Sequence, residues 1–366
     1  MLFLMWGVLI LGGLMFPKSK IISATMVIFM ITVIGFRTQG ADYNIYVNEY
    51  KWSEYQTFSD VHYIGYLVLE QWAHQHSVLF NRFLLIVGGT SCLLTYYGIS
   101  RLTPYVNVVF ALFFIYPFSH EAVQTRTFLA NSVLIAALPL ILKEVSENPY
   151  SENKRMSSKM RLIIFYVLAA LACTFHFEAA IYVVLLTMML FLPKKYGRSF
   201  VATGTVTTFI LIECGILPKI VERFNTRIAY WLSGRTGLGI VIPIFITLVI
   251  WYAMQLTGRI CIRNSSNDLV EGNLYRQILR LSDFIMFLIP LFCYDITFNR
   301  LWRLFLLLLY VMLAKVFPRK MSKNMRLWIV LLMSVLFISV CAYEGVFALL
   351  SGVFENNAVF GSLSVI

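Results

Sequence analysis

The chain has 366 residues, of which 59% are hydrophobic and only 13% charged, with a formal net charge of +12. Soluble domains carry about 25% charged residues, so this composition and a mean hydropathy of +0.76 exclude a soluble globular protein. The basic excess reads as cytoplasmic loop charge, with no nucleic-acid partner implied.

In chain order, apolar runs bounded by charge or proline cover 2–16, 21–36, 79–99, 104–118, 122–142, 161–175, 177–193, 199–216, 238–257, 280–294, 298–317 and 327–346. Each approaches the ~20 residues a helix needs to cross the hydrocarbon layer. Runs this long and uniform are helices, which satisfy their own backbone there, and not barrel strands. The expected fold class is all-α integral membrane: one domain over 1–366 with about twelve transmembrane helices (11–13). The first run lacks a basic n-region and a small-residue cleavage site, so it reads as a retained span. The stretch 61–75 is short and broken by His62, Glu70 and His74, and is expected to be interfacial or re-entrant within an outer loop, 37–78. The six cysteines are scattered with no CxxC, which suggests neither a disulfide framework nor a metal site.

The positive-inside rule orients the map. With the Lys18/Lys20 turn inside and the spans alternating, 20 of the 30 basic residues fall inside, among them those of the loops 143–160 and 258–279. Both termini then lie outside. The ten outer residues are Arg37, Lys51, Arg82, Arg126, Lys219, Arg223, Arg227, Arg235, Arg300 and Arg303. Eight are arginine, the planar bidentate binder of phosphate and carboxylate, whereas the inside set is evenly split. The bland alternative is arginine snorkelling to headgroups; for the ensemble, bound anions are the better reading.

Five outer constellations follow. In the first, Arg37 leaves a span, Gly40 permits a tight turn, and Asp42 with Tyr43 and Tyr46 could pair with Arg37 as a sugar-and-phosphate site, or be an interfacial tyrosine belt. In the second, His120, Gln124, Thr127 and Asn131 would form one polar stripe if helical, with Arg126 well off it and answering to another neighbour. The third is His176 with Glu178 between two tightly joined spans. The fourth, 216–237, repeats Lys219, Arg223 and Arg227 every four residues beside Ile220, Phe224, Ile228 and Trp231, the pattern of an amphipathic helix on the membrane, with Arg235 in the glycine-rich segment after it. In the fifth, Asp295, Asn299 and Arg303 are spaced i, i+4, i+8 beside Arg300. An unpaired arginine at the midplane costs about 2.5–3.5 kcal/mol, so Arg303 needs Asp295 or a substrate anion.

The order Arg37…Gly40-Ala41-Asp42-Tyr43…Tyr46 after two spans, then Gln124-x-Arg126, then Phe175-His176-Phe177-Glu178-Ala179-Ala180, then Asn299-Arg300…Arg303 resembles the EpsG/Wzy-type polysaccharide polymerases over most of the chain. Glu178 stands where serine is more usual, and His120-Glu121 has no counterpart. The resemblance implies a metal-independent, cofactor-free integral-membrane glycosyltransferase with a GT-C-like multi-span bundle in the bacterial inner membrane. Such an enzyme joins oligosaccharide units carried on undecaprenyl diphosphate at the outer, periplasmic face. Its partners would be that substrate, membrane lipid, and chain-length regulator and flippase proteins.

In that frame Arg37, Tyr43, Gln124, Arg126, Arg227, Arg235, Arg300 and Arg303 would bind diphosphate and sugar, and His176, Asp42 or Glu178 would act as general base. The competing classes are a lipid-linked ligase or other transferase, a transporter or flippase, and a scaffold. A transporter predicts repeats and midplane charges, neither of which is evident.

Overall fold

The computed structural model describes residues 1–58, 63–142, 157–193, 197–223, 226–233, 240–265, 268–317 and 322–359. The α-helices are α1 (Leu2–Met15), α2 (Lys20–Gly35), α3 (Tyr43–Trp52), α4 (Ile64–Gln75), α5 (Phe80–Leu102), α6 (Val106–Ile115), α7 (Phe118–Val123), α8 (Thr125–Leu142), α9 (Ser158–Phe175) and α10 (Glu178–Phe191). They continue with α11 (Gly197–Glu213), α12 (Ile216–Glu222), α13 (Thr226–Leu232), α14 (Val241–Asn264), α15 (Leu269–Asp283), α16 (Ile289–Tyr294), α17 (Trp302–Val316), α18 (Lys323–Tyr343) and α19 (Val346–Glu355). No strand occurs among the described residues; one isolated antiparallel bridge joins Arg37 and Asn357. The protein is an all-α integral membrane protein.

Among the described residues, seven helical segments are long and apolar enough to cross a membrane: Phe80–Leu102, Thr125–Leu142, Ser158–Phe175, Val241–Asn264, Val270–Tyr294, Thr297–Val316 and Lys323–Tyr343. The pair α11 and α12, bent by 77° at its break, adds an eighth if it is one span. Five shorter apolar helices, α1, α2, α6, α10 and α19, have 10–17 residues. Each of the twelve apolar runs is thus helical, but twelve full crossings are more than length and composition support. Two expected loops also turn out helical. In 258–279, α14 runs on to Asn264 and α15 starts at Leu269. In 216–237, two short helices stand where one amphipathic helix was expected.

Within the single domain expected from the sequence, residues cluster into two compact units. The first comprises Met1–Ile181, Leu313–Pro318 and Val340–Ile366. Here α5 packs on α2 and α8, and α8 on α9. Water is absent from the hydrocarbon layer, so side-chain hydrogen bonds to backbone join helices where they meet. Trp6 Nε1 donates to the Phe114 carbonyl at 3.1 Å, and Asn107 Nδ2 to the Phe16 and Ser19 carbonyls at 2.6 and 2.9 Å. Residues 356–358 are held to the end of α2 by backbone and side-chain bonds. Thr38 N donates to the Asn356 carbonyl, Ala358 N to that of Phe36, and Asn357 Nδ2 reaches the Thr32 and Val33 carbonyls.

The second unit comprises Tyr182–Met312 and Arg319–Ser339. There α14 packs on α15, with Gln255 Nε2 donating to Ser282 Oγ at 2.9 Å and to Asp283 Oδ1 at 3.0 Å. Trp302, fully buried at the start of α17, donates to Thr247 Oγ1 at 2.9 Å.

Candidate functional site

The first unit gathers its chemistry where α2 ends. Gly40 at φ +115° and Asp42 at φ +61° turn the chain back into α3. Glycine takes such backbone without penalty, and aspartate is among the few other residues that tolerate it. On α3, Tyr46 and Tyr50 are buried at i and i+4, with Glu49 beside them. On α4, Tyr66, Glu70 and Ala73 are fully buried at i, i+4 and i+7. The two helices pack together, and α4 also lies against α9.

Arg37 is fully buried. Its NH1 donates to the Ala122 carbonyl at 3.0 Å, and its Nε and NH2 have no hydrogen-bond partner. The guanidinium lies 5.5 Å from the ring centroid of Tyr43, whose hydroxyl donates to Asn81 Oδ1 at 2.9 Å. Burial pulls the guanidinium below its ordinary pKa, countered by Tyr46, Asp42, Tyr43 and Tyr66. The expected ion pair with Asp42 does not form: no Arg37–Asp42 contact within 4.0 Å occurs. Asp42 occupies the left-handed turn before α3, half-buried and making no side-chain cap bond, and acts on the guanidinium through its charge without direct contact.

Arg126, at the start of α8, has the neighbour the sequence demanded but did not name. Its NH1 donates to Glu49 Oε2 at 3.1 Å. Its guanidinium lies 3.7 Å from the Tyr63 ring centroid, 5.2 Å from that of Tyr46 and 5.7 Å from that of Tyr66. Its Nε is buried without a hydrogen-bond partner. A cation over aromatic faces gains most where water is excluded. Burial raises the Tyr63 hydroxyl to about 12, with Glu49 adding to the rise and Arg126 opposing it.

Glu70 is the member that sequence reasoning passed over, treating it only as an interruption of an apolar run. It is fully buried, and neither oxygen has a hydrogen-bond partner. Burial, reinforced by Glu49 and opposed by Arg126, lifts its carboxyl to about 8. The signal was available: a carboxylate at i+4 between Tyr66 and Ala73 sits on the apolar face of a short helix.

The remaining residues have their own settings. His120 Nε2 lies 3.1 Å from Glu344 Oε2, its Nδ1 3.2 Å from Ser119 Oγ, and both partners of the ion pair are nearly buried. The single stripe through Gln124 is not formed. Gln124 takes φ −101° and ψ 62° as the C-cap of α7, and α8 begins afresh at Thr125, so His120 and Asn131 belong to different helices. His176 Nδ1 accepts from the Glu178 N–H at 3.3 Å and lies 3.7 Å from Glu178 Oε2, at the junction of α9 and α10.

In the second unit, the spacing i, i+4, i+8 expected of Asp295, Asn299 and Arg303 is broken, because a 3-10 helix over Ile296–Leu301 precedes α17. Asp295 accepts from the Thr297 N–H at 2.7 Å. Asn299 is fully buried with both amide atoms lacking a hydrogen-bond partner, and the Arg300 carbonyl accepts from the Tyr182 hydroxyl at 3.1 Å. Arg303 is buried at the first turn of α17. Arg227 belongs to α13, but its side chain lies outside the described atoms; Arg235 lies outside the described residues. Among the described residues no three His, Cys, Asp or Glu side chains are grouped to hold a metal.

The fold is that of a multi-span helical membrane protein, and its first unit sets the fully buried Arg37 and the half-buried Arg126 beside tyrosine rings, with Glu49 on Arg126. Residues 20–355 match the EpsG family, and with nearly the whole chain covered, the protein belongs to that family. No curated protein and no solved structure matches the chain. Membership supports a membrane polysaccharide polymerase in general terms.

Proposed function

We propose that the protein polymerises oligosaccharide repeat units carried on undecaprenyl diphosphate, at the outer face of the bacterial inner membrane. The observation that carries this reading is Arg37: fully buried, with Nε and NH2 unpartnered. A buried cation left without an acceptor is costly, and a diphosphate oxygen is an acceptor of matching geometry. As the glycosidic bond to the diphosphate breaks, negative charge grows on the leaving oxygen. Fixed donors in a water-poor setting stabilise it, each to the extent of about 10²–10³ in rate.

Arg126, Tyr43 and Gln124 serve the same substrate in this reading; Arg227, Arg235, Arg300 and Arg303, in the second unit, are the further anion-binding candidates from sequence. The base that takes the acceptor's proton is a carboxylate or histidine, with His176, Asp42 and Glu178 as the candidates from sequence. Twelve crossings with both termini outside, and flippase and chain-length regulator partners, complete the proposal.

The test is polymer laddering in a strain lacking the gene, complemented with single substitutions. Arg37→Ala, Arg126→Ala, His176→Ala and Arg300→Ala are expected to leave single units and no ladder. Wild-type ladders from all four would remove the site assignment. Intact ladders in the full deletion, with normal export of units, would remove the polymerase reading.

A further inference from the structure

We propose that Glu70 is the catalytic base, with Glu49 and Arg126 as the ion pair that positions it. The inference rests on the polymerase reading and names the proton acceptor for it.

Two carboxylates of the first unit, Glu49 and Glu70, differ in what they bond. Glu49 Oε2 takes the NH1 hydrogen bond of Arg126 at 3.1 Å. Glu70 stands one helical turn after Tyr66, whose ring centroid lies 5.7 Å from the same cation, and neither of its oxygens is bonded. Two carboxyl groups whose surroundings differ in this way divide the roles of fixed charge and proton carrier. Glu49, Arg126 and Tyr63 are half-buried while Glu70 is fully buried.

The groups facing Glu70 are known from each packed element. Glu49 and Tyr50 come from α3, Arg126 from α8, and Tyr63 and Tyr66 from the start of its own helix. From α9, Thr174 and Phe175 close against Gly65, where a Cβ would collide with Thr174 Oγ1. That contact fixes α4, and with it Glu70, beside the outer end of α9. Burial holds the carboxyl at about 8, so its ionised form is a stronger base than an ordinary carboxylate while remaining accessible near neutral pH.

The sequence candidates are less suited. Asp42 is half-exposed in a turn, and His176 already spends Nδ1 on the Glu178 N–H.

In the step, the ionised Glu70 takes the proton of the acceptor hydroxyl as that oxygen bonds to the anomeric carbon of the donor. The bond from that carbon to the diphosphate oxygen breaks, and its electron pair leaves on the lipid diphosphate, facing Arg37. Glu70 ends protonated and returns its proton to solvent.

The test uses the full-length protein in lipid nanodiscs with lipid-linked repeat unit extracted from a strain lacking this polymerase. Glu70→Gln is expected to slow polymer formation by about 10²–10⁴ with unchanged binding of the lipid-linked unit, while Glu70→Asp retains measurable turnover with an altered pH profile. Infrared difference spectra of the wild type should show a protonated-carboxyl band that disappears as pH rises through about 8 and is missing from Glu70→Gln. Wild-type turnover in Glu70→Gln, or no such band in the wild type, overturns the assignment and leaves the polymerase reading standing. No polymer from the wild type overturns both.

Discussion

The Arg126 guanidinium bonds Glu49 at 3.1 Å while lying 3.7 Å from the centre of the Tyr63 ring. The contact brings together a cation from α8, a carboxylate from α3 and an aromatic face from the entry to α4, three segments distant in sequence. One side chain thereby ties α3 and the entry to α4 to α8.

Breaking that pair is expected to destabilise the protein. Removing one partner of a buried ion pair costs about 3–5 kcal/mol, and the side chains here are 14% and 21% exposed, which places the loss at the lower end. Glu49→Ala should lower the thermal midpoint in detergent. The double variant Glu49→Gln/Arg126→Gln should lose less than the sum of the single variants, because neither charge is then left alone. Additive losses in calorimetry would count against a coupled pair.

Arg126→Lys is expected to fail as a conservative change. Lysine keeps the charge but not the planar group that lies over Tyr63 and bonds Glu49 together. Ladder formation should drop close to the level of Arg126→Ala. Wild-type ladders from the lysine variant would show that charge alone suffices.

Stability should fall toward alkaline pH through Glu70. Its carboxyl is raised in the folded state to about 8, so the folded protein binds a proton that the unfolded chain releases in the ordinary carboxylate range. The contribution is fully present below that range and is lost as pH rises through about 8. Wild type is therefore expected to melt lower at alkaline than at mildly acidic pH, and Glu70→Gln should flatten that part of the dependence. Parallel curves for the two proteins would contradict it.

Gly65→Ala should push α4 off α9. The new methyl would collide with Thr174 Oγ1 and lie 2.9 Å from Thr174 Cβ. Overpacking of this kind costs about 1–3 kcal/mol. Adding Thr174→Gly should restore part of the loss in melting temperature and in polymer yield, and no rescue would mean that α4 is fixed elsewhere.

Asn357→Ala should loosen the chain's C-terminal strap. It removes two bonds from Nδ2 to the Thr32 and Val33 carbonyls beside Arg37. At about 0.5–1.5 kcal/mol for a typical net hydrogen bond, the expected loss is small in melting temperature but visible as faster amide exchange at residues 356–358. Unchanged exchange there would refute it.

The twelve apolar runs were legible because a lipid-facing helix must be apolar for most of its length, and the composition cannot hide that. The helix α19 escaped notice because its ten residues fall short of a span. The break at Gln124 escaped because its backbone departs from helix without a glycine or proline at the position itself. Glu70 was misjudged because a carboxylate in an apolar stretch reads as an interruption until its surroundings are known.

Residue types and their spacing were enough to establish a membrane-embedded helical protein, since burial in lipid constrains every turn of each helix locally. Which arginine meets which carboxylate could not be read the same way. Arg37 was expected to pair with Asp42, five residues on; instead it bonds the Ala122 carbonyl, and Arg126 reaches back across the chain to Glu49. A side-chain partner is chosen by packing between segments, and in a chain where buried charge is costly, the partner close in space prevails over the one close in sequence.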